Sequence, residues 1–479
     1  MQIARWLQLR CLPILTLGFV LAVSLSSPTQ LHAQKGYNAV CTSSTPPTNA
    51  ACSLSALDAS QYTGSTICQQ IYSALSYLST LHSPNPNPGA VVDARNITSG
   101  LTCSAANETP WTSGSSVVTT PAIILLPAGL ITISTGWIIP DRTRVFGEGE
   151  RSNPGAAHGP GTQIVAASGF TGTMISLGGA NLYPNSSTVY PCGGLSGICF
   201  GVSISDVMIN GNFQNVVGIA NTSSQELSYA NNINLYGILG TGLSVTTTQA
   251  QNSGPYSNLV CNPGPSGSGF TSTTTCVDIN NTGDLRGIHG LTATVGSDSV
   301  CPGSTCPTAA IYLDSSSTTI EDAHFEGFAN GILVGSVATA KGDVIFNVSG
   351  GGSTLTGPTT NVIEIGSNTS DLSIMGVTAG TNPTSPNPNS IYDTLNSPTL
   401  TLTDAHVALY AIGEPVGSYG YSRFTTSATG VVPTWGGGGG APSGSCKVGS
   451  LYSNTAGASS SSTLYLCALV SGSPAWVAH

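Results

Sequence analysis

The chain has 479 residues, of which 40% are hydrophobic and 7% charged, with 59 glycines and a formal net charge of −10. An ordinary domain carries roughly a quarter charged residues, so Gly, Ser, Thr and Asn must cover this surface instead. With no basic patch to neutralise phosphates, nucleic acid is excluded as a partner. The apolar residues fall in short periodic runs, which argues for a packed fold and against disorder.

Arg5 and Arg10 precede the apolar run from Cys11 to Leu25, and Leu31-His32-Ala33 offers a cleavage site before Gln34. This is the pattern of a secretory signal peptide over 1–33, with no second apolar run that would span a membrane. Its removal takes two of 11 basic residues, leaving 9 − 21 = −12, and one of 13 cysteines, leaving 12. These group as sequence neighbours, Cys41/Cys52, Cys68/Cys103, Cys192/Cys199, Cys261/Cys276, Cys301/Cys306 and Cys446/Cys467. An exported chain keeps such pairs as disulfides, and the lack of a second Cys or His pair near Cys301 argues against a metal site.

The segment 34–88 is expected to hold an extension and one capping helix, Ser65 to His82. Ile67, Ile71, Leu75 and Leu78 form its apolar stripe, Ser65 or Thr66 caps it and Pro84 stops it. From Gly89 to Ile412 the chain consists of short β-branched or apolar runs closed by Gly, Pro, Asp or Ser, set too close for crossover helices. Such chains stack as coils, each burying its apolar face against the next. Ile204 to Gly211, Ile320 to Gly327 and Leu402 to Leu409 share one frame; Gly237 to Val245 and Gly331 to Val334 read as adjoining strands. The stretch from Gln249 to Ser272 reads as a loop interrupting the stack. Five glycines after Trp435 suggest a linker over 413–444, before a small disulfide-linked β module at 445–479.

Ile123-Ile124-Leu125-Leu126-Pro127-Ala128-Gly129, then Trp137-Ile138-Ile139-Pro140, then Val145-Phe146-Gly147-Glu148-Gly149, then Thr162-Gln163-Ile164 follow one another in order. This order resembles the opening coils of the right-handed parallel β-helix proteins of the pectate-lyase and polygalacturonase-like superfamily. The resemblance implies an all-β solenoid with an N-terminal capping helix. It also implies an extracellular polysaccharide as partner. His289-Gly290 matches one polygalacturonase block, but no Asn-Thr-Asp triplet, Asp-Asp dipeptide or Arg-x-Lys follows. The lyase Trp-Ile-Asp-His block is missing too, so the fold alone does not establish activity.

Ionisable residues are densest between Asp284 and Lys341. Alternation turns Phe325 inward, which sends His324 and Glu326 outward on one side. Glu326 and Asp322 are the acid and base candidates, with His324 orienting or binding. Arg286, His289, Asp284 and Lys341 are the candidates for contacting sugar. Asp206, Asp322 and Asp404 also fit corner positions, where Asp accepts backbone N–H groups. Nine basic residues make a poor trough for a polyanion unless calcium bridges it, so a neutral or weakly charged glycan fits better. Beyond that possible calcium, no cofactor is expected. Two classes stay open: a secreted glycoside hydrolase or polysaccharide lyase, and a non-catalytic adhesive β-helix that binds a glycan or another surface. The oligomeric state is not legible.

Overall fold

The computed structural model describes residues 56–81, 90–149 and 161–393, with gaps at 194–196, 247, 265–268, 296–306, 352–360, 371 and 380–388, and parts of 408–478. The signal-peptide segment, Pro84, Asp404 and the Cys41/Cys52 and Cys301/Cys306 pairs lie outside the described residues.

Short runs of alternating residues form strands that pair in parallel with the strand one coil away, giving a right-handed parallel β-helix. From Trp137 onward the chain visits a 15-stranded and an 11-stranded sheet in turn. Their inner faces stack like on like. Trp137, Ile175, Ile219, Leu243, Val277, Ile311, Ile332, Ile363 and Ile391 form one continuous register column of the 11-stranded sheet. Those from Trp137 to Ile363 are fully buried or nearly so. Each coil therefore hides its apolar residues only against its neighbours.

The 15-stranded sheet repeats a bent frame. Asp206, Asn232, Asn258, Gly290, Asp322, Asn347 and Gly376 all have φ between 51 and 73°, the left-handed region. Their flanking residues pair rung by rung, so the seven stack as one corner column. Asn, Asp and Gly tolerate that conformation best. Asn232 Nδ2 donates to Asp206 Oδ1 at 2.6 Å, and Asn347 Nδ2 donates to Asp322 Oδ1. Asn347 is exposed, so replacing it removes no packing. Asn347→Val should cost about 1–2 kcal/mol from backbone strain alone. Asn347→Gly should cost less, read from urea-unfolding midpoints.

The capping helix spans Ile67–Leu81. Ile67, Ile71, Leu75 and Leu78 are fully buried, in one cluster with the first coils. Thr66 Oγ1 accepts the Gln69 N–H, and Gln69 Oε1 accepts the Ser65 N–H, a reciprocal cap. Cys68–Cys103 staples the helix to its neighbouring strand. One strand precedes the helix: Ala56–Asp58 pairs in parallel with Ala90–Asp93, so pairing starts before Gly89.

Three other expectations change. Gly237 to Val245 is not one strand but a corner, at Leu239 and Gly240, between strands Tyr229–Ile238 and Thr241–Thr246. The presumed loop from Gln249 to Ser272 contains strand Tyr256–Asn262, whose Tyr256, Leu259 and Cys261 are buried. Left-handed Asn258 breaks its alternation and hides the strand from a period-two search. Gly436, Gly437 and Gly438 pair in parallel with Tyr452, Ser453 and Asn454, inside a 5-stranded sheet. In that sheet Tyr452 lies against Tyr465 and Trp476. Neighbouring cysteines are joined in Cys192–Cys199, Cys261–Cys276 and Cys446–Cys467 as well. Among the described residues no helix is long and apolar enough to cross a membrane.

Candidate functional site

The window from Asp284 to Lys341 covers more than one coil, so its ionisable residues are divided between two faces. Strand Thr319–Glu326 of the 15-stranded sheet carries Glu321, Asp322, His324 and Glu326. Asp322 is taken up by the corner column, where its carboxylate accepts from Asn347. Asp284 is also left-handed, at φ 49°, and its backbone ties two coils together through Ser316 O and Asn252 N. Both side chains are exposed. Arg286 is exposed two residues further on and forms no ion pair with Asp284.

His289 lies one rung before Glu321, with Nδ1 3.7 Å from its carboxylate and Nε2 3.0 Å from the Arg286 carbonyl. Past the corner, Phe325 is fully buried and its neighbours point out. His324 Nε2 lies 3.0 Å from Glu326 Oε1, and its Nδ1 lies 2.8 Å from Ser349 Oγ on the next rung. The structure thus joins His289 with Glu321, and His324 with Glu326 and Ser349. Lys341 belongs to the other sheet, paired with Ser316 and exposed.

That other face holds a cluster the sequence analysis did not single out. Asp278 pairs in register with Tyr312, and Asp314 follows two residues along the same strand, Ala309–Ser316. Inward neighbours Val277, Ile279, Ile311 and Leu313 fix these side chains outward. The Asp278 carboxyl is pushed above the usual carboxylate range, first by burial and then by the nearby Asp314 charge. Tyr312 is pushed up by burial, a Thr308 hydrogen bond opposing, with both Asp charges adding to the rise. Asp314 is buried under the Ser336–Ala338 stretch and accepts the N–H groups of Val337 (3.1 Å) and Ala338 (3.2 Å). Asp343 is buried close by, pushed up to about 7, chiefly by burial.

Five aromatic residues could offer a flat face to a sugar ring, Trp111, Trp137, Tyr312, Phe325 and Phe328, and all but Tyr312 are core residues with no exposed surface. Tyr312 is the one that faces outward, half-buried. Among the described residues no group of three or more His, Cys, Asp or Glu is arranged to hold a metal ion.

No family model matches the chain, and no curated protein matches it in sequence. Among solved structures it is similar to the enzymatically active domain of tailspike protein 2 from bacteriophage CBA120. That match has 14% identity over 60% of this chain, and a TM-score of 0.38. The chain spans 42% of that tailspike domain. It is also similar to ORF18 of Geobacillus virus E2, at 13% identity over 88% of this chain and 75% of that one, TM-score 0.31. A third is the A-module of mannuronan C-5 epimerase AlgE4 from Azotobacter vinelandii. There the identity is 12% over 61% of this chain and 91% of that one, TM-score 0.23. No residue role is carried across from any of them.

Proposed function

We propose that this chain is a secreted carbohydrate-active β-helix that hydrolyses a neutral or weakly charged glycan along the outward face of its 11-stranded sheet. One observation carries the reading: Asp278 is a half-buried carboxyl pushed up from its ordinary value by burial and by the Asp314 charge, beside the outward Tyr312 ring. A carboxyl whose hold on its proton is strengthened in this way is the kind that protonates a leaving glycosidic oxygen. Tyr312 offers a flat apolar surface for a sugar ring. Lys341 is the basic group of this sheet nearest in register to Asp314, and is assigned to sugar contact. Elimination would need a uronate, whose carboxylate acidifies the adjacent C–H. The scarcity of basic residues disfavours such a substrate, and hydrolysis is preferred.

The acid–base pair Asp322 and Glu326 is the weaker assignment, because Asp322 is bonded within the corner column and Glu326 to His324. Arg286, His289 and Asp284 would act only on a glycan that also reaches the other face. The test is cleavage of a panel of neutral and uronic glycans, with and without calcium, by wild type and Asp278→Asn. A loss of about 10²-fold or more is expected on removing the proton donor. Activity that survives Asp278→Asn but not Glu326→Gln would move the chemistry to the 15-stranded sheet. Binding without turnover on any glycan would leave the adhesive reading.

A further inference from the structure

The hydrogen bonds of His324 have a direction. Glu326, as a carboxylate, can only accept, so Nε2 carries the ring proton across the 3.0 Å contact. In the neutral ring Nδ1 then presents its lone pair to Ser349 Oγ at 2.8 Å, and the serine hydroxyl donates. A serine donating to an imidazole whose far nitrogen donates to a carboxylate is the arrangement that activates a hydroxyl nucleophile. All three side chains stand on paired strands of one sheet, and Phe325, fully buried between His324 and Glu326, pins their strand. They remain within reach of a solute: the His324 and Glu326 side chains are 33% and 24% exposed, and Ser349 is half-buried. On the rungs before His324 the same outward column carries Val260 and Thr292, both small side chains.

We propose that Ser349, His324 and Glu326 form an ester-cleaving site for short-chain acyl esters, separate from glycan cleavage on the other sheet. Ser349 Oγ attacks the ester carbonyl carbon as its proton passes to His324 Nδ1. The bond from that carbon to the alcohol oxygen breaks, and the same proton leaves on the alcohol, giving acyl-Ser349. Water, deprotonated by Nδ1, attacks the acyl carbon. The carboxylic acid departs and Ser349 regains its proton. Glu326 stabilises the imidazolium at each transfer. The sum is ester plus water to acid plus alcohol, with no other reagent. The small Val260 and Thr292 side chains beside His324 match a short acyl group better than a long chain.

The wild-type chain is treated with a fluorophosphonate probe and digested, and the adduct is mapped by mass spectrometry. A label on Ser349 is expected. Hydrolysis of p-nitrophenyl acetate should fall about 10²-fold or more in Ser349→Ala and in His324→Gln. In Glu326→Gln the smaller loss should come with an altered pH profile, because the imidazolium loses the carboxylate charge that stabilises it while the amide oxygen still orients the ring. Labelling needs no variant, so a folding defect cannot mask the outcome. Absence of label at Ser349, or ester hydrolysis undiminished by Ser349→Ala, overturns the proposal.

Discussion

Asp343→Asn should raise the melting temperature at pH 8 and leave it almost unchanged near pH 4. The carboxyl is almost wholly buried; Oδ1 accepts the Thr318 N–H at 2.8 Å, while Oδ2 has no hydrogen-bond partner. Burial, reinforced by the Asp314 charge, pushes it up to about 7 against the N–H groups of Thr318 and Lys341. An unfolded Asp titrates near 3.9. Between about 4 and 7 the native chain therefore holds a proton that the unfolded chain has released. Unfolding free energy falls as pH rises through that window, and the loss is complete above about 7. Three pKa units correspond to about 4 kcal/mol as an upper figure. Asparagine keeps an oxygen for the Thr318 N–H and carries no charge at any pH. Calorimetric scans of wild type and variant at pH 4 and pH 8, at one scan rate, decide it. Parallel pH slopes in the two proteins would contradict it.

Phe325→Ala should be among the most destabilising single changes in the β-helix, at about 3–5 kcal/mol. The ring has no exposed surface, and it packs so closely on Gly331 that a Cβ there would lie 2.5 Å from Cδ2. Gly331→Ala would force the same contact from the other side, and the Val362 carbonyl, 2.6 Å from that Cβ, closes the escape route. Alanine at 325 leaves a void that backbone ladders on both sides prevent from collapsing. Because residue 325 sits between His324 and Glu326, the variant should also loosen their contact. Denaturant titration measures the first effect, and fluorophosphonate labelling of Ser349 the second. A loss below about 1 kcal/mol would mean that the stack repacks.

The solenoid and its capping helix were legible because both rest on local patterns. Ile67, Ile71, Leu75 and Leu78 fall on one helical stripe, and each of the four opening runs from Ile123 to Ile164 contains a strand. The coil frame was read at Ile204, at Ile320 and at Leu402, where residues 402–407 lie outside the described residues. Its full form is apolar, any, Asp/Asn/Gly, apolar, any, apolar or small. Ala230 to Leu235, Tyr256 to Cys261, Ile288 to Ala293 and Ile345 to Gly350 obey it equally. A search for that frame, with the left-handed residue allowed in its third place, would have found strand Tyr256–Asn262 and explained Asp322.

The site was less legible, for a geometric reason. Crowding along the chain does not become crowding in space when each coil visits two sheets: Lys341 and Glu326 are close in sequence and belong to different sheets. Asp278 stands alone in Thr-Cys-Val-Asp-Ile-Asn, and its partner Asp314 is a full coil away. The upward push on its carboxyl depends on burial, which no local pattern reports. Ser349 was hidden likewise, since its link to His324 spans a rung of the sheet.

The claim that Asp278 is the proton donor is tested most directly by the pH dependence of glycan cleavage in wild type and Asp314→Asn. An acid catalyst works while protonated, so the rate should fall as pH rises through the raised pKa of Asp278. Removing the Asp314 charge removes part of that rise, while the asparagine oxygen still accepts the Val337 and Ala338 N–H groups. The alkaline limb of the profile should therefore move to lower pH in Asp314→Asn. A limb that stays in place, or a wild-type rate with no alkaline fall, would contradict the account.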